Sequence, residues 1–530
     1  MAIVGIDLGT TYCAVAHLDD AGRPRTVPNR DGDILTPSAV YLAEDGTAVV
    51  GQPALDMALE QPDRVATLMK RRMGLPDFGR PVAGQTFRPE TLSAVLLRKL
   101  VLDAEAQLGP VSQAVITVPA YFDDTRRKAT QDAGRIAGLD VLDILDEPSA
   151  AALAYQEGLG SRVWGLGNHP GSPAAGVGEA NPKPQTPNPV VLVYDLGGGT
   201  FDVTLVKLGK KRFQVLAIEG DVQLGGKDFD DRVIGYAADQ FLRQYGSDPR
   251  ADAQSLAMLR AAAERAKRTL SKVTSTTVTA AHAGHKLSVP LTRDQFNDLT
   301  RDLLLRTRLT TPGVVQAAGL TWDQVDKVLM VGGSTHMPMT GQMLAELTGR
   351  EPDRSLAVSE VVARGAAVHA GIVLARKARE AGLAAAGPLA DVVEVSVNAH
   401  SLGVEVRSGD ELLNNKLVAK NTQLPAAASR AYFTAKEGAS KVRVRILQGE
   451  APSAAAAIPV GEVWVDLPPG LPKGAPIQVR CEVQSNGRVA VTALDMTSGR
   501  RVQADIHRSG GLSDREIEAE AAWVRTLEVR

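Results

Sequence analysis

The sequence predicts an α/β domain followed by an antiparallel β-sandwich, and three observations carry that reading. From residue 2 to about residue 378, short β-branched runs alternate with longer stretches of helical periodicity. From Leu402 to His507 the period becomes two, with turn signals between the runs. Glycine-rich turns directly follow three of the strand-like runs in the first part.

At 530 residues the chain is too long for one hydrophobic core and long enough for two to four domains. A net charge of −2 argues against a strongly basic nucleic-acid surface. Cys13 and Cys481 are far apart and form no CxxC pair, so no disulfide framework is expected. The opening MAIVGIDLGTTY lacks the basic region and long apolar stretch of a targeting signal, and no run of about 18 apolar residues follows, so the expected location is the cytoplasm, away from membranes.

Strands are expected at Ala2–Ile6, Ala114–Val118, Val190–Tyr194, Val203–Lys207 and Lys327–Val331. Between them Ser255–Ser271 carries Leu256, Leu259, Ala263, Ala266 and Leu270 at helical spacing. Residues 161–189, rich in Gly, Pro, Asn and Ser, read as a flexible insertion. The first domain is therefore placed at 1–388, a Val-rich linker at 389–397 and the sandwich at 398–511. In the sandwich, KVRVRIL at Lys441–Leu447 sets Val442, Val444 and Ile446 against Lys441, Arg443 and Arg445, one face to bury and one to wet. In residues 512–530, Ser513 and Glu516 form a capping-box pattern ahead of the stripe Ile517, Ala521, Val524 and Leu527, enough for one helix.

The chemistry sits on the three turns. Asp7-Leu-Gly9-Thr10-Thr11-Tyr12, Asp195-Leu-Gly197-Gly198-Gly199-Thr200-Phe-Asp202 and Gly332-Gly333-Ser334-Thr335-His336 each place glycines where backbone N–H groups can approach an anion without a Cβ in the way. The first two add an Asp at the strand end, which suits a divalent ion held between carboxylate and phosphate. The motifs DLGTT, DLGGGTFD and VGGST, in that order, resemble the 70-kilodalton heat-shock (DnaK-like) chaperones. So do AVITVPAYF, DAGRIAG, EPSAAALAY, LGGKDFD and ERAKRTLS, and the resemblance covers nearly the whole chain.

That resemblance implies a two-lobed, actin-like ATPase domain of duplicated ribonuclease H-like fold, with ATP or ADP between the lobes. By matching position it assigns the phosphates to Gly9, Thr10, Thr11 and Tyr12 from one lobe and to Gly197, Gly198, Gly199 and Thr200 from the other, beside Gly225 and Gly226. Mg²⁺ goes to Asp7 and Asp195, with K⁺ a further candidate ion, and catalysis to Lys70, Glu147, Thr200 and Asp202. The nucleoside is assigned to Glu264, Lys267, Arg268 and Ser271, one face of a helix, and to Gly332, Gly333, Ser334 and His336. The family usually has Arg where His336 stands, which puts ATP affinity in question.

The sandwich resembles the family's peptide-binding module through Ser401–Glu405, Lys420-Asn-Thr422, Pro425 and Leu447–Glu450, with Val404, Tyr432, Ala435, Val442 and Val444 at the positions that line its channel. Residues Val406–Leu417 read as a lengthened loop bearing Arg407 and Asp410. The implied function is an ATP-hydrolysing chaperone whose partners are extended client polypeptides, a J-domain co-chaperone and a nucleotide exchange factor. Against it stand a nucleotide-bound exchange factor with little hydrolysis and a small-molecule kinase of the same superfamily. Residues 512–530 fall where the family begins a helical lid, and are expected to be a single-helix remnant of one. Two positions that couple the halves of such proteins, acidic in the linker and basic before the Glu-Pro motif, are Ser396 and Asp143 here, so that charge pair is expected to be missing.

Overall fold

The computed structural model describes residues 2–159, 188–383, 388–484, 489–497, 499, 501–505 and 511–530. The expected insertion at 161–189 lies outside them except for its last two residues. Two sheets of the same design form the centres of the two lobes of the first domain. In one, Ala2–Leu8 runs antiparallel to Tyr12–Leu18, which runs antiparallel to Pro24–Val27. Ala2–Leu8 is also parallel to Val111–Val118, and that strand to Asp140–Asp146. In the other, Val190–Leu196, Phe201–Leu208 and Arg212–Asp221 repeat the antiparallel trio. Lys327–Val331 again lies parallel to the first strand of the trio. Each strand expected from the sequence is present, Lys327–Val331 with the expected bounds and the others extended by one to three residues at one or both ends. The glycine turns join the first two strands of each trio, so both arrive at the same end of their sheets.

Helices Glu147–Leu159 and Val361–Glu380 lie between the sheets. Their approach explains EPSAAALAY, since Ala150, Ala151 and Ala152 are fully buried. A Cβ on Gly365 would stand 1.7 Å from the Ala150 carbonyl oxygen, a contact no side chain survives. The helix expected at Ser255–Ser271 runs from Ala253 to Leu270, capped by the Asp252 carboxylate on the Ser255 N–H at 2.7 Å.

The sandwich packs the sheet of Leu402–Ser408, Glu411–Val418, Lys441–Gln448 and Ile458–Asp466 on the sheet of Ala426–Phe433, Pro476–Val483, Val489–Asp495 and Arg501–Asp505. The alternation expected in KVRVRIL holds: Val444 and Ile446 are buried, while Arg443 and Arg445 turn outward to Glu405 at 3.1 and 2.9 Å. Val406–Leu417 differs from the expected loop. It is most of a hairpin, because Gly409 at φ 61° permits a two-residue turn between Ser408 and Glu411. Arg407 and Asp410 are exposed at its tip.

The sandwich is seated on the first domain. Linker strand Val393–Val395 adds to the free edge of Arg212–Asp221. Lys420 reaches Glu219 at 2.7 Å, the Asn421 side chain accepts the Ile218 N–H at 3.0 Å, and Gln448 accepts that of Asp124 at 3.0 Å. Lys420-Asn-Thr and Leu447-Gln-Gly, conspicuous in the sequence, thus face this junction.

The last helix, Asp514–Thr526, forms with its capping box, but it does not lie over the sandwich as a lid remnant would. Leu512, Ile517, Ala521 and Val524 belong to the core of the first lobe, against helices Pro89–Leu108 and Asp124–Ile136. Strand Glu528–Val529 then extends the small sheet of Thr47–Val50, Ala39–Leu42 and Val65–Thr67. The stripe read from the sequence is apolar because it completes this core.

Candidate functional site

The two glycine turns meet across the cleft. A Cβ on Gly198 would lie 2.5 Å from the Thr11 side chain, and one on Gly199 would lie 2.5 Å from that of Thr10. A Cβ on Gly9 would strike the Tyr12 carbonyl oxygen at 1.9 Å. The Gly197–Thr200 turn closes on a bond from the Gly197 N–H to the Thr200 carbonyl at 3.0 Å. It is braced by N–H donors of Gly226 and Lys227 at 2.9 and 2.8 Å, and by the Ser334 hydroxyl on the Gly197 carbonyl at 2.8 Å. Gly332, at φ 83°, takes the left-handed conformation needed for the third turn to pass the Asp195 carboxylate.

Behind the turns, Lys70 donates to Glu147 in a buried ion pair. Asp7, at the end of its strand, accepts from the Thr117 hydroxyl at 3.2 Å. Asp202 accepts the Tyr121 N–H at 2.9 Å. One lysine thus stands among four carboxylates, those of Asp7, Glu147, Asp195 and Asp202. Burial, reinforced by the Glu147 charge, pushes Asp7 up to about 7 and raises Asp195 and Asp202 well above the carboxylate range. For Lys70, burial alone would depress the pKa, but Glu147 and Asp7 outweigh it and hold the ammonium charged. Among the described residues no three His, Cys, Asp or Glu side chains are close enough to share an ion directly. Carboxylates whose ionisation burial and mutual repulsion oppose, beside glycine turns, fit a hydrated divalent cation that would stabilise their charged forms.

The helix expected to hold the nucleoside splits its duties. Lys267 donates to Asp230 at 2.8 Å and to the Gly226 carbonyl at 2.9 Å. Arg268 pairs with Glu264 at 2.6 Å and crosses the cleft to the Tyr12 hydroxyl, also at 2.6 Å, with its guanidinium over the Tyr12 ring. Ser271 bonds its own helix through the Lys267 carbonyl at 3.3 Å. His336 is exposed at the rim beside Gly333. The structure adds a bidentate pair across the lobes, Arg71 to Asp228 at 3.1 and 2.9 Å. Arg71 looks like a solvated member of a KRR run. The available signal was Asp228 in LGGKDFD, which caps the N–H of Gly225 at 2.8 Å and so must sit at the cleft.

In the sandwich, Val404 and Val444 are buried between the sheets, Tyr432 and Val442 are half-buried at the margin, and Ala435 is exposed. The Tyr432 hydroxyl closes that margin on the Asn415 side-chain oxygen at 3.0 Å. His282 meets Ser255 at 3.0 Å, His285 stacks on Tyr245, and both cysteines are buried and free.

Two lobes of duplicated design, opposed glycine turns and a lysine–carboxylate cluster define an actin-like nucleotide-binding ATPase fold, here joined to a β-sandwich. The family model described as Hsp70 protein matches residues 3–82 and 77–523, nearly the whole chain. The protein belongs to the Hsp70 family, whose members are chaperones with ATPase activity and generally bind ATP or ADP with Mg²⁺. No helix among the described residues is long and apolar enough to cross a membrane.

Proposed function

We propose that this chain hydrolyses ATP to ADP and phosphate in the interlobe cleft and uses the sandwich to bind extended apolar segments of client polypeptides. The observation that carries the reading is the buried Lys70–Glu147 pair among Asp7, Asp195 and Asp202, directly behind two opposed glycine turns. Such a cluster is costly to bury unless it works on a charged ligand. Asp7 and Asp195 are assigned to hydrated Mg²⁺, which when bound neutralises charge on the phosphoryl oxygens. K⁺ is a further candidate ion for the same carboxylate-rich site. Lys70 supplies a fixed positive charge at the γ-phosphate, and Glu147, Thr200 and Asp202 orient the attacking water. Gly9 to Tyr12 and Gly197 to Thr200 cradle the phosphates. Glu264, Lys267, Arg268 and Ser271 flank the nucleoside, with Gly332, Gly333, Ser334 and His336 closing its other side.

Peptide would enter at the margin where Tyr432 meets Asn415, gaining apolar contact with Val442 and, as the margin parts, with Val404 and Val444. A J-domain co-chaperone and a nucleotide exchange factor are the partners this cycle calls for, and the cytoplasm is its setting. Single-turnover ATP cleavage, with and without a Leu-rich extended peptide, tests both halves. Cleavage stimulated by peptide supports the reading. Tight nucleotide binding without cleavage would instead favour an exchange or binding factor.

A further inference from the structure

The linker strand should be loosely held on backbone alone. It has three paired residues, Val393 is exposed, and Val395 supplies the one buried side chain. Its middle residue, Glu394, has a different attachment. The Glu394 carboxylate lies 2.8 Å from Nδ1 of His369, on helix Val361–Glu380, and the other ring nitrogen, Nε2, lies 3.1 Å from the Asp143 carboxylate. His369 is 5% exposed. Carboxylates only accept, so a ring placed between two of them must carry both protons to satisfy both. The charge pair expected to be missing at Ser396 and Asp143 is therefore replaced by a differently wired one.

We propose that His369 is a positioning residue that latches the linker to the ATPase domain, its imidazolium bridging Glu394 of the linker to Asp143 of strand Asp140–Asp146. That strand runs directly into Glu147, so seating or releasing Glu394 bears on the element that presents the Lys70 partner. The bridge forms one wall of a cavity of about 600 Å³, lined also by Arg376, Ser396 and, from the sandwich, Gln448. Asp143, Glu394 and, along the same helix, Arg376 are the charged groups that act on the ring or its partners, and Asp124, Arg127, Lys128 and Asp146 line the same cavity.

The bridge predicts a pH dependence. Burial alone lowers the His369 pKa, but Glu394 and Asp143 outweigh it and push it up to about 10. Only the share of that rise supplied by Glu394 is lost when the linker lifts, so its contribution to docking is present while the ring is charged and is lost as pH rises through about 10. The linker should hold firmly at neutral pH and loosen in mild alkali. Burial alone would raise Asp143, but the bond and charge of His369, with the Ile144 N–H and Arg376, together outweigh it and hold the carboxyl low, so it stays charged through this window.

Hydrogen exchange of the linker segment in the full chain, corrected for intrinsic rates, tests the latch without requiring ATP turnover, so it can fail while the hydrolysis reading stands. Glu394→Ala and His369→Ala should each speed linker exchange about tenfold or more at pH 7 and leave Val190–Leu208 protected. His369→Gln keeps a donor and removes the titration, so its linker exchange should be flat between pH 7 and 9.5, where the wild-type linker loosens. If His369→Ala loosens the whole domain, Glu394→Ala, a change on the linker itself, decides. Wild-type protection in Glu394→Ala, or a wild-type linker indifferent to pH over that range, would overturn the latch.

Discussion

Asp132 accepts the backbone N–H of Leu512 at 3.1 Å, joining residues 380 positions apart in the chain. Asp132 is fully buried and also receives Lys128, so its carboxylate is committed to this junction. Around it Arg135 pairs with Asp514 at 2.8 Å, Thr91 donates to Glu520 at 2.7 Å, and the Phe87 and Trp523 rings lie 5.0 Å apart. The sandwich is thus bounded by two attachments to the first domain, the linker before it and this tail after it.

If the tail is core rather than lid, its mutations should be felt by the ATPase domain. Ile517→Ala removes a 5%-exposed side chain and should cost about 3 kcal/mol of that domain's stability. Denaturant unfolding read by nucleotide-binding competence checks it. An unchanged midpoint together with faster peptide release would return the helix to the role of a lid.

Close to the tail, Glu90 makes a second prediction. Its side chain is 4% exposed, one carboxylate oxygen lacks a partner, and burial pushes it up to about 7. The folded state then binds a proton that the unfolded state has released, so stability falls as pH rises from about 4.5 to about 7. Glu90→Gln should therefore match wild type near pH 4.5 and exceed it by roughly 3 kcal/mol at pH 8. Unfolding curves at the two pH values provide the check, and an equal gain at both would assign the effect to packing.

How much of this could be read beforehand depends on whether a residue's partner is local. DLGTT and DLGGGTFD announce themselves because the turn, the strand end and the phosphate cradle lie within a few residues of each other. The same holds for KVRVRIL and for the Ser513–Glu516 capping box. Asp132, His369 and Arg71 gave no such signal, since each acts on a residue brought to it by the fold. The stripe Ile517, Ala521 and Val524 specified an amphipathic helix without specifying the surface it covers. The hairpin at Ser408–Glu411 was missed because Gly-Asp marks a two-residue turn only once the register of the flanking strands is known.

Lys70→Ala tests the catalytic assignment. The ammonium is the charge that the four surrounding carboxylates share, while the turns that would cradle the phosphates are built from backbone groups. Nucleotide affinity should change little, and single-turnover cleavage should slow about 10²–10³-fold, the usual consequence of losing one preorganised transition-state contact. Affinity and cleavage must be measured on the same preparation. Cleavage at the wild-type rate would remove Lys70 from the mechanism.

Gly225→Ala asks whether the turns must touch for nucleotide to bind. Gly225 has φ −172°, an extended conformation open to any residue, so the substitution introduces no backbone strain. Its new Cβ would lie 2.5–2.6 Å from the N, Cα and C atoms of Gly199, and backbone cannot rotate aside as a side chain would. The turn that bears Gly199 must then leave its present place beside Thr10, at an overpacking cost of about 1–3 kcal/mol. Nucleotide should bind roughly ten- to a hundredfold more weakly, since 1.4 kcal/mol is a factor of ten. Gly235→Ala, in the helix that Gly225 caps and with nothing within 4 Å of its Cβ, is the control and should bind as wild type. Calorimetric titration of ADP into the three proteins decides. Equal affinities would mean that the cleft opens to receive nucleotide and that contact between the turns plays no part in holding it.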